Sequence, residues 1–144
     1  MGKLVSICIS EKKGIGKTQI TEIELIGGFG LKGDAHGGKW HRQVSLLEKE
    51  KIEDFIKRGG NVKFGDFGEN LVTEGIDLDT IKVGDKITVG DAILEITQKG
   101  KKCHDKCHIY QMVGDCIMPK NGVFGTVEKG ANIKIGDKME VITL

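Results

Sequence analysis

The chain has 144 residues, a length that predicts one domain, residues 1–144, with a single core. Its 22 Lys and Arg residues nearly cancel its 21 Asp and Glu residues, so no long-range field favours nucleic acid or an anionic membrane as a partner. No apolar stretch approaches the roughly 20 residues of a membrane span, and the first residues lack a signal-peptide pattern. We therefore expect a cytoplasmic protein with four reduced cysteines.

The first elements along the chain are predicted strands. The run from Lys3 to Ser10 is typical of a buried strand. Thr21, Ile23 and Leu25 then alternate with glutamates, which predicts a second, half-buried strand. Glycine-rich sequence over 27–38 predicts a long loop after it.

A short match to a phosphate-binding loop lies between these two strands. Gly16, Lys17 and Thr18 have the right order, but Glu11 stands where that loop requires its first glycine. A strand pattern follows instead of a helix, so no helix N-terminus would face the phosphates. The match does not predict nucleotide binding.

One helix is predicted in the middle of the chain. Ser45 and Glu48 have the spacing of a capping box at its start, Ile52 and Phe55 share one face, and Gly59 can end it. We expect this helix to pack against the core.

The second half of the chain predicts short strands joined by tight turns. Gly90-Asp91 suits a hairpin turn between KITV and AILEIT. The run at 81–89 nearly recurs at 133–141, with six of nine positions identical, which indicates one Gly-Asp turn and strand used twice. With 22 glycines and one proline, the chain is predicted to be mainly β, with a closed or strongly curved sheet.

The decapeptide KKCHDKCHIY, residues 101–110, holds the most reactive side chains of the sequence. Cys103 would lie at the start of a short helix after a strand, where exposed amides stabilise a thiolate. Lys101, Lys102 and Lys106 add positive charge nearby. Cys103 is therefore the best candidate for an accessible thiol of low pKa.

Three other interpretations of the same cysteines stay open. Cys103, Cys107 and Cys116 with His108 or His104 could form a tetrahedral zinc site. A reversible Cys103–Cys107 disulfide is compatible with a four-residue separation on a helix. Finally, the thiols could simply pack inward as small apolar side chains.

Two further stretches carry side chains that suit an anion. In GDAHGG (33–38) and the residues after it, flexible backbone lets amides approach a ligand, and a guanidinium can grip phosphate with two hydrogen bonds. Asp34 can orient His36 there. The candidate side chains are His36, Lys39, His41, Arg42 and Gln43, with Glu69 and Asn70 in the FGEN stretch at 67–70.

Four stretches occur in an order that resembles one known family. They are GDAHGGKWHRQVSLLE, GDFGENLVTEGIDL, VGDKITVGDAILEITQKGKKCHDKC and CIMPKNGVFGTVEKGANIKIGDKMEV. The chain is similar to the MOSC domain family, the C-terminal domains of molybdenum cofactor sulfurases, in a small stand-alone bacterial type. The likeness covers nearly everything from Gly33 onward. It implies a strongly twisted, barrel-like MOSC fold with one principal helix and short helical segments.

The resemblance also implies a function. The family's hallmark cysteine falls on Cys103, which would bind molybdenum of the molybdenum cofactor (molybdopterin), or carry sulfur as a persulfide to metal-sulfur centres, or both. For the pterin phosphate we expect donors on His36, Lys39, Arg42 and Lys101. Gln43 and Asn70 would be neutral partners, and together these six form the expected cofactor-binding set.

The sequence differs from the long eukaryotic sulfurases because it has no room for their pyridoxal-phosphate domain. Pyridoxal phosphate would therefore enter only through a separate sulfur donor, such as a cysteine desulfurase. Other expected partners are proteins that make or accept the molybdenum cofactor. Two alternative functions stay open: a molybdenum-dependent reductase of N-hydroxylated compounds, as some relatives are, and a non-catalytic zinc-stabilised binding module. Enzyme activity is thus undecided by the sequence.

Overall fold

The computed structural model describes residues 2–10, 17–35, 37–60, 62–100 and 122–142. These ranges contain eleven strands and one helix. In chain order the elements are β1 Gly2–Ile9, β2 Thr18–Ile20, β3 Glu22–Ile26, β4 Gly30–Leu31, β5 Val44–Glu48, α1 Lys49–Lys57, β6 Leu71–Glu74, β7 Lys86–Val89, β8 Ala92–Lys99, β9 Val123–Lys129, β10 Ala131–Lys134 and β11 Lys138–Ile142.

Seven strands close into a barrel in the order β11-β7-β8-β9-β5-β6-β1. Closure comes from the first residues of β1, where Gly2 pairs with Met139 of β11. The last residues of β1 pair instead with β2. Within the described residues β5 and β6 are the one parallel pair of the barrel, and β10, β3 and β4 form a separate three-stranded sheet. The predicted mainly β, barrel-like fold with one principal helix is confirmed.

The barrel interior is filled by the alternate side chains of its strands. In β8, for example, Ala92, Leu94 and Ile96 are fully buried, and the residues between them are partly exposed. Complete burial of such a side chain contributes about 1.5–3 kcal/mol. The large buried side chains of this core include Leu4, Ile7, Leu25, Leu31, Leu46, Leu71, Leu78, Ile87, Leu94 and Ile96.

A second apolar cluster joins α1 to the barrel. Ile52 and Phe55 are the buried residues of the helix, as the sequence predicts. The ring of Phe55 meets that of Phe67 edge-on at 5.0 Å, and Leu47, Val72 and Phe124 complete the cluster from β5, β6 and β9. This packing fixes the position of residues 62–69, the stretch of chain that ends at the buried Glu69.

The predicted capping box at the start of the helix is wrong. Ser45 lies inside β5, all of whose residues are buried, and α1 begins only at Lys49. Glu48 occupies the N-cap position, and its side chain makes no capping hydrogen bond. Pairing of β5 with both β6 and β9 outweighs the local motif, because it satisfies the backbone and buries five side chains together. The predicted stop is confirmed, since Gly59 has φ +98°.

The repeated sequence forms a Gly-Asp turn followed by a strand twice, as predicted. The carboxylates of Asp85 and Asp137 each accept the backbone N–H three residues earlier, both at 2.9 Å. Gly84 and Gly136 precede them with φ of +98° and +96°, values that favour glycine. The strands that follow, β7 and β11, pair with each other, and β7 turns into β8 at 90–91 as expected.

Candidate functional site

Polar side chains converge where β1, β5 and β6 lie side by side. We call this group the buried polar cluster. It consists of Ser10, Lys17, Asp34, Ser45 and Asn70, all of them buried. Ser10 follows β1, Lys17 precedes β2, and Asp34 lies in the turn after β4. The cluster therefore ties three barrel strands to the small sheet.

An ion pair lies at the centre of the cluster. The Nζ of Lys17 is 2.6 Å from the Oδ1 of Asp34, and both side chains are completely buried. The same oxygen accepts the backbone N–H of Ser10 at 3.1 Å. Burial lowers the pKa of Lys17, and the hydrogen bond and charge of Asp34 oppose that shift. A charge pair removed from water in this way depends on each partner for its stability.

Asn70 links the ion pair to the strands around it. Its Nδ2 donates to the Oδ2 of Asp34 at 3.1 Å and to the carbonyl of Cys8 at 3.0 Å. Its Oδ1 accepts the backbone N–H of Ser45 at 2.9 Å and lies 3.1 Å from the Ser45 hydroxyl. The amide thus uses both donors and both acceptor positions within the protein. To contact a cofactor, the Asn70 side chain would have to give up one of these hydrogen bonds. The predicted cofactor contact of Asn70 stays a prediction.

A second buried acid lies beside the cluster. Glu69 is fully buried, and its carboxylate accepts the backbone N–H groups of Gly65 at 2.8 Å and Phe67 at 3.2 Å. Burial raises the pKa of Glu69 from 4.5 to about 7, against the lowering effect of these hydrogen bonds. The carbonyl of Gly65 in turn accepts the backbone N–H of Lys17 at 2.7 Å. The stretch from Gly65 to Glu69 is therefore bonded directly to the residue that forms the ion pair with Asp34.

Cys8 is the cysteine that the described residues contain, and it is fully buried. Burial raises its pKa to about 12, and a hydrogen bond with Ser6 at 3.5 Å opposes the shift. Such a thiol is neutral near pH 7 and is neither a nucleophile nor a metal ligand in that form. Cys8 is therefore part of the core.

Arg42 forms a separate feature, which we call the arginine platform together with Trp40 and Phe124. The centre of its guanidinium lies 4.7 Å from the Trp40 ring centroid and 5.8 Å from that of Phe124. Its Nε is buried and has no hydrogen-bond partner among the described residues. Stacking on aromatic faces holds the planar guanidinium in place while leaving in-plane donors available.

The end of β8 is tied to the same stretch of chain. The Nε2 of His41 lies 2.8 Å from the Oε1 of Gln98, and the hydroxyl of Thr97 donates to the carbonyl of His41. Beyond these residues the N–H of Gly100 donates to the carbonyl of Gly122 at 2.7 Å. The described residues on either side of 101–121 thus lie next to each other.

Several predicted site residues fall outside the described residues. They are His36, Lys101, Cys103, Cys107, His108 and Cys116, so the zinc set and the disulfide also lie there. Of the rest, Lys39 is exposed, and Gln43 is buried with its Oε1 accepting the N–H of Val127 at 2.9 Å. Lys39 is thus exposed and Arg42 partly buried, whereas Gln43 and Asn70 are buried, and a ligand contact from any of them stays a prediction.

Lys17 was not expected at this site. Its sequence context is an incomplete match to a phosphate-binding loop, and its partner Asp34 is 17 residues away on another element. A lysine beside a β-branched residue at the start of a strand gives no local signal of burial. A buried pair of this kind depends on tertiary packing, which the pattern of a single segment does not encode.

The chain belongs to the MOSC domain family, whose model matches residues 32–140. This family is associated with binding of the molybdenum cofactor. No curated protein sequence matches the chain. In the part of the chain that the structure describes, no helix is long and apolar enough to cross a membrane.

Solved structures of other proteins share the fold. The YuaD protein from Bacillus subtilis has a TM-score of 0.78 at 20% identity, over 98% of this chain and 96% of that one. YiiM from Geobacillus stearothermophilus has a TM-score of 0.73 at 19% identity, over 99% of this chain and 76% of that one. YiiM from Escherichia coli has a TM-score of 0.67 at 18% identity, over 99% and 70% of the two chains. At this identity the likeness shows a common fold.

Proposed function

We propose that the protein binds the molybdenum cofactor and carries sulfur on Cys103, as a persulfide, to metal-sulfur centres. The observation that supports this most directly is the arginine platform. Arg42 contacts two aromatic rings and keeps a buried Nε–H without an acceptor among the described residues. An unpaired buried donor on a cationic group is costly unless a ligand supplies the acceptor. The platform therefore suits an anion.

The pterin phosphate of the cofactor fits this donor set. A phosphate offers several acceptor oxygens, and a guanidinium can bind two of them at once. Lys39 is exposed three residues before Arg42 and can add a second positive charge. Gln43 would act indirectly, because its bond to Val127 fixes the backbone next to Arg42.

Cys103 would meet the same ligand from the neighbouring strand. It follows Gly100 by three residues, at most about 10 Å of extended chain. Gln98, two residues before Gly100, contacts His41 next to Arg42. When bound, the cofactor would supply a redox-active molybdenum atom, for which a soft thiolate is a suitable ligand. The chain's own part would be to offer that thiolate and to hold the phosphate.

Sulfur transfer through Cys103 is a balanced exchange. The Cys103 thiolate attacks the outer sulfur of a donor persulfide, a new S–S bond forms, the donor's S–S bond breaks, and the donor leaves as a thiolate. Passing the sulfur to an acceptor thiolate repeats the exchange without net oxidation. A pyridoxal-phosphate cysteine desulfurase is the class of donor that can load it, and cofactor-biosynthesis or acceptor proteins would receive the sulfur.

The experiment that tests the proposal is metal analysis of protein purified from a host that makes the molybdenum cofactor. We expect molybdenum and pterin with the native chain, their loss with Cys103→Ser, and their retention with the matched control Cys116→Ser. One equivalent of zinc that both variants lose, and whose chelation unfolds the protein, would instead establish the zinc-stabilised module. Turnover of an N-hydroxylated base with an electron donor would establish the reductase.

A further inference from the structure

Three acidic side chains meet at the end of the barrel where β5 and β6 finish. Glu48, Asp77 and Asp79 each offer a carboxylate oxygen, and these oxygens lie within 4.8 Å of one another. Glu48 is the last residue of β5, and the two aspartates flank Leu78, which is buried in the barrel core. The insertion of Leu78 therefore holds both aspartates against the barrel end.

Glu48 is an unusual member of this group because it is buried. It is only 7% exposed, and its Oε2 has no hydrogen-bond partner among the described residues. It stands at the N-cap of α1 without capping the helix. Its carboxylate turns toward the aspartates instead of toward the free N–H groups of the first helical turn.

Thr73 provides a second and independent observation at this end of the barrel. It is fully buried, and its Oγ1 also has no partner in the described part of the chain. Thr73 pairs with Glu48 across the parallel strands β5 and β6. Residues paired in this way project from the same face of the sheet, side by side. Two buried oxygens without a partner among the described residues thus belong to neighbouring side chains on the same face of the sheet at the barrel end.

The positive charges around this space do not satisfy those oxygens. The Nζ of Lys51 pairs with the Oδ2 of Asp79 at 2.9 Å, and the Nζ of Lys99 donates to the backbone carbonyl of Asp79 at 2.8 Å. The Lys51–Asp79 pair is partly exposed, with side chains 34% and 55% accessible. Exposed pairs of this kind are weak, so a competing cation can displace the lysine.

We propose that Glu48, Asp77 and Asp79 bind a divalent cation of the hard, oxygen-preferring class, Ca²⁺ in preference to Mg²⁺, with the Thr73 hydroxyl as a neutral ligand. Every donor is oxygen, which suits these metals and disfavours Zn²⁺ or copper. Ca²⁺ accepts irregular sets of protein oxygens, whereas Mg²⁺ demands near-octahedral geometry and usually keeps several waters, which a site with a buried carboxylate and a buried hydroxyl does not favour. The bound ion would fasten the turn at 77–79 to the ends of β5 and β6.

A proton on Glu48 is the rival explanation for its unpartnered oxygen. Burial raises the pKa of Glu48, opposed by the charge of Lys51 and reinforced by that of Asp79, Glu50 and Asp77. A protonated Glu48 would need no metal. The two explanations make different predictions. Only the cation site predicts that the protein binds Ca²⁺ saturably at a pH where free carboxylates are ionised.

The test uses the full chain, treated with chelator and titrated with CaCl₂ or MgCl₂ by calorimetry at pH 7.5. We expect one Ca²⁺ per chain, at least tenfold weaker Mg²⁺ binding, and a rise in Tm with Ca²⁺ concentration. Asp79→Asn, at an exposed position, should weaken Ca²⁺ binding at least tenfold. Glu24→Gln, which removes an exposed charge from β3 in the small sheet, should leave it unchanged.

Three results would overturn the proposal. The first is the absence of saturable Ca²⁺ binding and of a Tm shift at millimolar Ca²⁺. The second is equal loss of binding in Asp79→Asn and Glu24→Gln, which would mean a general charge effect. The third is equal affinity for Mg²⁺, which would remove the assignment of Ca²⁺. Cys103→Ser should bind Ca²⁺ normally, so this site is tested separately from the sulfur chemistry.

Discussion

The Nζ of Lys17 lies 2.6 Å from the Oδ1 of Asp34, and neither side chain has any exposed surface. Asn70 and the backbone N–H of Ser10 also bind the Asp34 carboxylate. Together these contacts join the end of β1 and the start of β2 to the turn after β4. The Asp34 carboxylate is therefore the acceptor that Lys17, Ser10 and Asn70 of the buried polar cluster share.

Removal of one partner of this pair should be strongly destabilising. We expect Asp34→Asn to lower the free energy of unfolding by about 3–5 kcal/mol, because it leaves the Lys17 ammonium buried without its countercharge. Chemical denaturation measures this change. Asp54→Asn removes an exposed pair with Arg58 and should cost less than about 1 kcal/mol. Equal losses in the two variants would contradict the account.

The buried carboxyl of Glu69 should make stability depend on pH. Burial raises its pKa from 4.5 to about 7, so the folded state holds this proton more tightly than the unfolded state. The stabilisation is complete below pH 4.5 and is lost as the pH rises through 7, on the order of 3 kcal/mol in total. Denaturation of Glu69→Gln between pH 5 and 8 should show a smaller fall, whereas the exposed control Glu22→Gln should keep the native profile. Identical profiles for native protein and Glu69→Gln would refute the assignment.

Arg42 should affect anion binding more than stability. We expect Arg42→Ala to weaken cofactor binding at least tenfold, and Arg42→Lys to restore it only in part, because an ammonium cannot stack and bind two oxygens at once. Pterin fluorescence in a titration gives the Kd. Arg58→Ala is a matched control, since Arg58 also lies over an aromatic ring, that of Phe55 at 5.9 Å. A Kd unchanged in Arg42→Ala would remove Arg42 from the site.

Cys8 should be nearly inert toward thiol reagents in the folded protein. Burial raises its pKa from 9.0 to about 12, so near pH 7 its thiolate population is far below that of an exposed thiol. A variant with serine at 103, 107 and 116 leaves Cys8 as its one thiol. It should react with a disulfide reagent only after unfolding. Rapid labelling of the native variant would show that Cys8 is reachable.

Much of the barrel could be predicted from local sequence. The strand from Lys3 onward, the hairpin turn at 90–91 and the repeated Gly-Asp turns all depend on neighbouring residues, and all are confirmed. The start of the helix was predicted wrongly, because Ser45 belongs to a central strand whose pairing involves residues 25 to 81 positions away. Local motifs do not report such pairings.

The site was harder to predict than the fold. The sequence drew attention to Arg42 but not to the ring of Phe124, which lies 82 positions further along the chain. Lys17 gave no signal of burial because its partner lies on another element. Asn70 and Gln43 were expected to bind a ligand, and within the described residues they bond to Asp34, Ser45 and Val127. These roles depend on packing between distant segments.

The most direct test of the proposed sulfur chemistry is a native mass spectrum taken after incubation with a pyridoxal-phosphate cysteine desulfurase and free cysteine. We expect the chain to gain the mass of one sulfur atom, the gain to disappear on reduction, and Cys103→Ser to gain nothing while Cys116→Ser gains as the native chain does. The same added mass on Cys103→Ser would contradict the proposal that Cys103 carries the sulfur.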